Sequence, residues 1–149
     1  MSRLVGRCHC QQITLEYSTA TLPEELKLRA DQCSFCRRHG ARTISDPQGS
    51  LRIVMSNCEA VSYYQFGLRT AEFLVCQRCG VYVSAIQRDE GRIYGVVNVN
   101  TFDTRLTQEA TPVDYDSETV EQRRDRRRRV WTPTTLVENW GTFSQRPVR

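Results

Sequence analysis

No stretch of this chain approaches the ~20 consecutive apolar residues of a membrane-spanning helix, so a membrane partner is not expected. Met1-Ser2-Arg3-Leu4-Val5-Gly6 has no long apolar core of the kind a secretory signal carries. The expected compartment is therefore the reducing cytoplasm, where paired cysteines are metal ligands or redox groups more often than structural disulfides. An odd total of seven cysteines points the same way. Net charge of one sign is also scarce. The balance is +4, and residues 117–129 alone supply +3, from six arginines against Glu118, Glu121 and Asp125. The other 136 residues carry +1. That excludes a polyanion footprint over the whole surface, and nucleic acid is not an expected partner. No long helical periodicity precedes residue 117, and no internal repeat is visible beyond the cysteine pairs.

What is present is a series of short strand signals. Gln12–Tyr17 alternates with Ile13, Leu15 and Tyr17 on one face, and Ser50–Met55 does so with Leu51, Ile53 and Met55. Val61–Phe66, Thr70–Val75, Val81–Ile86 and Ile93–Val99 read as further strands, with Asp89-Glu90-Gly91 as a hairpin loop. About seven short strands predict an all-β domain over residues 1–103. Residues 24–30 are open to a brief helix. Residues 104–149 read as a C-terminal extension wrapping the same domain. Within it, Ser117–Arg129 forms a helix capped by Asp116 or Ser117, and the tail brings two tryptophans, Trp131 and Trp140, that need packing. A chain of 149 residues fits one domain of roughly 150.

Six of the seven cysteines come as close pairs: Cys8/Cys10, Cys33/Cys36 and Cys76/Cys79. A C-x-x-C turn gives two thiolates to one tetrahedral zinc, and Gly80 after Cys79 lets the chain turn with positive φ. In Cys8-His9-Cys10, alternate side chains at a strand end point the same way. Cys8, Cys10, Cys76 and Cys79 thus predict a closed, structural zinc site. It would clip the first strand to the chain's middle across a long loop, where closure gains most. Buried core cysteines or oxidisable thiols are the alternative. His9, between two ligands, is a spacer.

The middle pair differs. Asp31, Cys33 and Cys36 offer three ligands and leave a fourth position open, the arrangement of a catalytic zinc. Asp31 reads equally well as a surface carboxylate or turn cap, and a redox-active dithiol is a third reading, although no βαβ pattern surrounds it. Arg37 and Arg38 would lower the thiol pKa values and hold a substrate carboxylate, or be solvated charges. His39 reads as a surface residue, Cys58 as a small buried hydrophobe, and the arginine run 123–129 as a solvated helix face.

Gly6-Arg7-Cys8-His9-Cys10, Cys33-Ser34-Phe35-Cys36-Arg37 with Gly40-Ala41, and Cys76-Gln77-Arg78-Cys79-Gly80 together resemble the glutathione-dependent formaldehyde-activating enzyme (GFA) family, which includes the centromere protein V-type proteins. The likeness spans roughly residues 3–100. It implies a β-tent-like zinc-stapled fold of short antiparallel strands, with Cys8, Cys10, Cys76 and Cys79 as structural ligands. It also implies carbon–sulfur lyase chemistry, joining glutathione and formaldehyde into S-hydroxymethylglutathione. The family's second zinc uses a C-x-C-x-x-C run whose first cysteine is Asp31 here, and an oxygen ligand is harder than a thiolate. The leading expectation is a zinc-dependent lyase acting on a glutathione or other thiol adduct, with one structural and one labile zinc. The alternative is a zinc-stapled binding module without catalysis.

Overall fold

The computed structural model describes residues 1–138. The chain runs β1 (Ser2–Arg7), β2 (Ile13–Thr19), β3 (Leu28–Asp31), α1 (Ser34–His39), β4 (Thr43–Ile44), β5 (Ser50–Met55), β6 (Val61–Tyr64), β7 (Glu72–Cys76), β8 (Tyr82–Asp89), β9 (Arg92–Asn98), β10 (Ala110–Val113), α2 (Val120–Val130) and β11 (Thr132–Glu138). The mainly-β expectation holds. Among the described residues no helix is long and apolar enough to cross a membrane.

Alternation explains the first layer. Ile13, Leu15 and Tyr17 of β2 and Leu51, Ile53 and Met55 of β5 are each at most 1% exposed. The two strands pair antiparallel, with Leu15 opposite Ile53, so both apolar rows meet on one face. Each such aliphatic removed from water contributes about 1.5–3 kcal/mol. β8 has no alternation, because Tyr82 to Gln87 are all buried. It lies between β7 and β9, covered on both faces. Its hairpin to β9 turns through Glu90 and Gly91, both at positive φ (49° and 78°), as the Glu-Gly loop demands.

The sheet is mixed and branches at β9. One edge of β9 pairs with β8. The other meets β11 at Tyr94 and Gly95, then β4 at Val97 and Asn98. β11 also runs parallel to β5, so it joins the β1–β2–β5 layer to the β9 branch. β10 pairs parallel with β3. Both parallel pairs involve strands after residue 103. The later segment therefore enters the sheet, with β11 between β5 and β9, instead of wrapping over it. α2 is capped by Thr119, in place of the expected Asp116 or Ser117: its side chain accepts from Gln122 N–H, and its own N–H donates to Gln122 Oε1. Residues 24–30 hold only a single 3-10 turn, Pro23–Glu25, before β3. Trp131 is 7% exposed, and Trp140 lies outside the described residues.

Gly6 shows why the first cysteine motif starts on glycine. A Cβ there would stand 2.8 Å from the Thr101 carbonyl oxygen and 2.9 Å from Leu15 Cδ1. The backbone after β9 bridges to Gly6 at Phe102, which closes the space. Gly6→Ala is expected to destabilise the fold by about 1–3 kcal/mol through this overpacking. Urea unfolding checks it, with a lowered midpoint at unchanged slope as the expected result.

Candidate functional site

The first cysteine cluster joins two turns. After β1 the chain bends back through Cys8 to Gln11 (φ 69°), with Cys8 N–H donating to Ile13 O at 2.9 Å. After β7 it bends through Cys76 to Gly80 (φ 77°), with Gly80 N–H donating to Cys76 O at 2.9 Å. The four ligand atoms of Cys8, Cys10, Cys76 and Cys79 lie within 4.8 Å of one another. Cys8 Sγ is 3.8 Å from Cys10 Sγ, and Cys10 Sγ is 3.5 Å from Cys76 Sγ. Thiolates at about 2.3 Å from a tetrahedral zinc stand about 3.8 Å apart, so the donor set fits that ion. Backbone N–H groups already point at the sulfurs, from Ile13 to Cys8 at 3.3 Å and from Cys79 to Cys76 at 3.4 Å. Burial pushes the Cys8 and Cys76 thiols up. Burial also raises Cys79, but hydrogen bonds from the Cys10 and Val81 backbone and the neighbouring thiols outweigh it and bring Cys79 down to about 7.

The second cluster sits where β3 becomes α1. The Cys33–Cys36 segment, expected as a turn, is the start of a six-residue helix. Cys33 is its N-cap, and its Sγ accepts from Cys36 N–H at 3.3 Å. Asp31 Oδ1 accepts from Cys33 N–H at 2.8 Å, so Asp31 is a turn cap. That bond also aims its carboxylate at the pair. One ligand atom from each of Asp31, Cys33 and Cys36 lies within 4.8 Å of the others. The two carboxylate and cap bonds therefore fix a three-donor set that fits zinc with a fourth position open. The Cys33 thiol is lowered by the hydrogen bond from Cys36, against the effect of burial. Cys36 is correspondingly raised, first as the partner that keeps the proton and then by its own burial.

The second cluster lines a cavity of about 290 Å³, and the first cluster is not part of its lining. Phe66, Phe73, Tyr82 and Trp131 form its aromatic wall. Phe35 lies behind it, 4.6 Å from Phe73 and 5.0 Å from Tyr82 between ring centroids. Arg29, Arg123, Arg126 and Arg127 line it as well.

Several expected residues lie elsewhere. Arg37 and Arg38 are exposed on the outside of α1, where they donate to Gln32 O at 3.2 Å and Ser34 O at 3.0 Å. Neither lines the cavity, although the sequence suggested a substrate-carboxylate role for them. Helical spacing is the reason: with Cys33 and Cys36 facing inward, the next two positions turn away. His9 and His39 are exposed, as expected. Cys58 is also exposed, against the expectation of burial, because it starts a single 3-10 turn capped by Asn57 at the surface. The arginine run is not a uniformly solvated face, since Arg127 is only 7% exposed. The sequence carried one signal for this. α2 has almost no apolar face, and its Val120 is 43% exposed, so any contact with the sheet had to bury polar groups.

No curated protein matches the chain. A crystal structure of a Rhodobacter sphaeroides protein is similar to it, with 31% identity, a TM-score of 0.56, and coverage of 73% of this chain and 99% of that one. The family model described as glutathione-dependent formaldehyde-activating enzyme matches residues 3–117, which hold all three cysteine pairs and the sheet from β1 to β10. With most of its length matched, the chain belongs to the glutathione-dependent formaldehyde-activating enzyme family.

Proposed function

We propose that this protein is a zinc-dependent enzyme of carbon–sulfur lyase type that handles a thiol adduct, such as a glutathione conjugate. The closed four-cysteine site holds a structural ion, and Asp31, Cys33 and Cys36 hold a second one beside the cavity. The single observation that supports this division is that the Asp31 cluster lines the 290 Å³ cavity and the four-cysteine cluster does not. Zinc at that cluster would supply a Lewis acid and a site for a substrate thiolate.

The chain's own residues do the rest. The α1 N-terminus and the Asp31 turn hold both thiols on one side of the cavity. Phe73, Tyr82 and Trp131 pack beside the thiols and keep water from that part of the cavity, which strengthens the polar contacts inside. In the forming direction the thiol sulfur bonds to the aldehyde carbon, and the thiol proton passes to the oxygen. The reverse direction splits the same bond. A reducing cytoplasm keeps such thiols available.

Two zinc ions per chain are expected by elemental analysis, with the second lost in Asp31→Ala and the first retained. Nuclear magnetic resonance of a formaldehyde–glutathione mixture should show faster adduct formation with the wild-type protein only. A metal content of one that excess zinc does not raise, together with no acceleration, would sink the proposal.

A further inference from the structure

The arginine wall of the cavity has no part in the thiol chemistry. Arg29 comes from β3, while Arg123, Arg126 and Arg127 come from α2, beyond the residues that match the family. Two carboxylates share the cavity, those of Asp31 and Asp116. Arg126 is already neutralised by Glu118 at 3.0 Å and lies over the Tyr115 ring. Arg29, Arg123 and Arg127 form no ion pair among the described residues.

Their hydrogen bonds go to neutral groups instead. Arg29 donates to Ser45 Oγ, Arg123 to Tyr115 O at 2.8 Å, and Arg127 to Thr70 Oγ1 at 2.8 Å and Gln87 Oε1 at 3.3 Å. Nε of both Arg123 and Arg127 is buried with no partner. Arg127 also packs over Trp131, 4.8 Å from the ring centroid. Burial, then the Arg126 and Arg123 charges, bring Arg127 down to about 10, so it is still a cation at neutral pH. Asp31 and Asp116 are the carboxylates nearest to hand, but neither pairs with these arginines, so cations gathered here carry a cost that an anionic ligand would offset.

We propose that Arg123 and Arg127, with Arg29, form an anion subsite for a substrate carboxylate, in the same cavity as the Asp31–Cys33–Cys36 cluster. The ligand is a small molecule with an anionic head and a thiol or thioether end, passing between aromatic walls. A guanidinium fork meets a carboxylate through two parallel hydrogen bonds, and each of these arginines has more N–H donors than its neutral partners take up. The sulfur end rests on the reading above; the anionic end stands on the arginines alone. This gives to Arg29 of β3 and to α2 the carboxylate-binding role that the sequence suggested for Arg37 and Arg38.

Calorimetric titration of the zinc-loaded full chain tests it with S-methylglutathione and with the diethyl ester of that compound. The capped sulfur offers no thiol, so failure of lyase activity leaves this result untouched. The acid is expected to bind at least about tenfold tighter than the diester, with the preference weakening as salt is raised. Arg127→Gln and Arg123→Gln should each reduce that preference to about threefold or less. The salt and ester comparisons on the wild-type chain decide the matter if Arg127→Gln fails to fold. Competition by inorganic phosphate would extend the site to oxyanions in general; none would restrict it to carboxylates. Equal binding of acid and diester, a preference surviving both substitutions, or no binding of either ligand overturns the proposal.

Discussion

Cys10→Ser is expected to empty the closed site and lower the thermal midpoint by about 10–20 °C. The four thiols join the turn after β1 to the turn after β7, and these two strands do not pair with each other. Nothing in the ladder replaces the clip once it opens. Structural zinc contributes about 10–16 kcal/mol in small zinc-binding peptides. If a third of that reaches the fold here, about 4–5 kcal/mol is lost, and each kcal/mol moves the midpoint of a chain this long by about 2–4 °C. The loss is doubled in kind, because Cys8 is fully buried and would keep its desolvated thiol without an ion to share. Thermal scans by circular dichroism with parallel zinc analysis provide the check. Cys58→Ser is the control: Cys58 is exposed, belongs to neither cluster, and its loss should leave both measurements unchanged. A Cys10→Ser chain that melts with the wild type would remove the clip from the account of stability.

The second large effect is expected at Cys33. Serine there should reduce adduct formation by about 10²–10³-fold while leaving the fold intact. The separation of the two effects follows from the position. Cys33 is the N-cap of α1, and serine is among the best N-cap residues, so its hydroxyl takes over the bond from Cys36 N–H. The hydroxyl does not ionise near neutral pH and makes a poor zinc ligand, so the open site loses one of three donors. A metal acting as Lewis acid contributes several kcal/mol to a barrier, and about 3–4 kcal/mol is the stated range of rates. Steady-state rates measured beside zinc content and helix signal give the test. Full activity in Cys33→Ser would move the chemistry away from this cluster.

The elements legible in the sequence were those governed by neighbours along the chain. β2 and β5 follow from alternation, and the Glu90–Gly91 turn from residue type. The cysteine clusters follow from ligand spacing. The elements that were not legible depend on distant partners. β3 and β4 are four and two residues long, too short for a pattern, and are held by pairing with β10 and β9. β10 includes Pro112, which argues against a strand by propensity, yet it lies at the end of the sheet path, where a missing donor is tolerated. Asp31 was undecided between ligand and cap because both uses need only a carboxylate. The bond to Cys33 N–H shows the cap, and its approach to the two sulfurs leaves the other use open.

By itself the sequence determined that this is a mainly-β member of a cysteine-paired family, because strand alternation and thiol spacing are local and chemically restrictive. Spacing also marked the middle pair as the open one; only the tertiary structure decided which arginines share its cavity. Arg37 and Arg38 are adjacent to Cys36 in the chain and point away from it. Arg123 and Arg127 are about 90 residues further on and share its cavity. A helix carries successive residues to different faces, while sheet pairing brings remote segments together, so proximity in sequence says little about which charges meet a ligand.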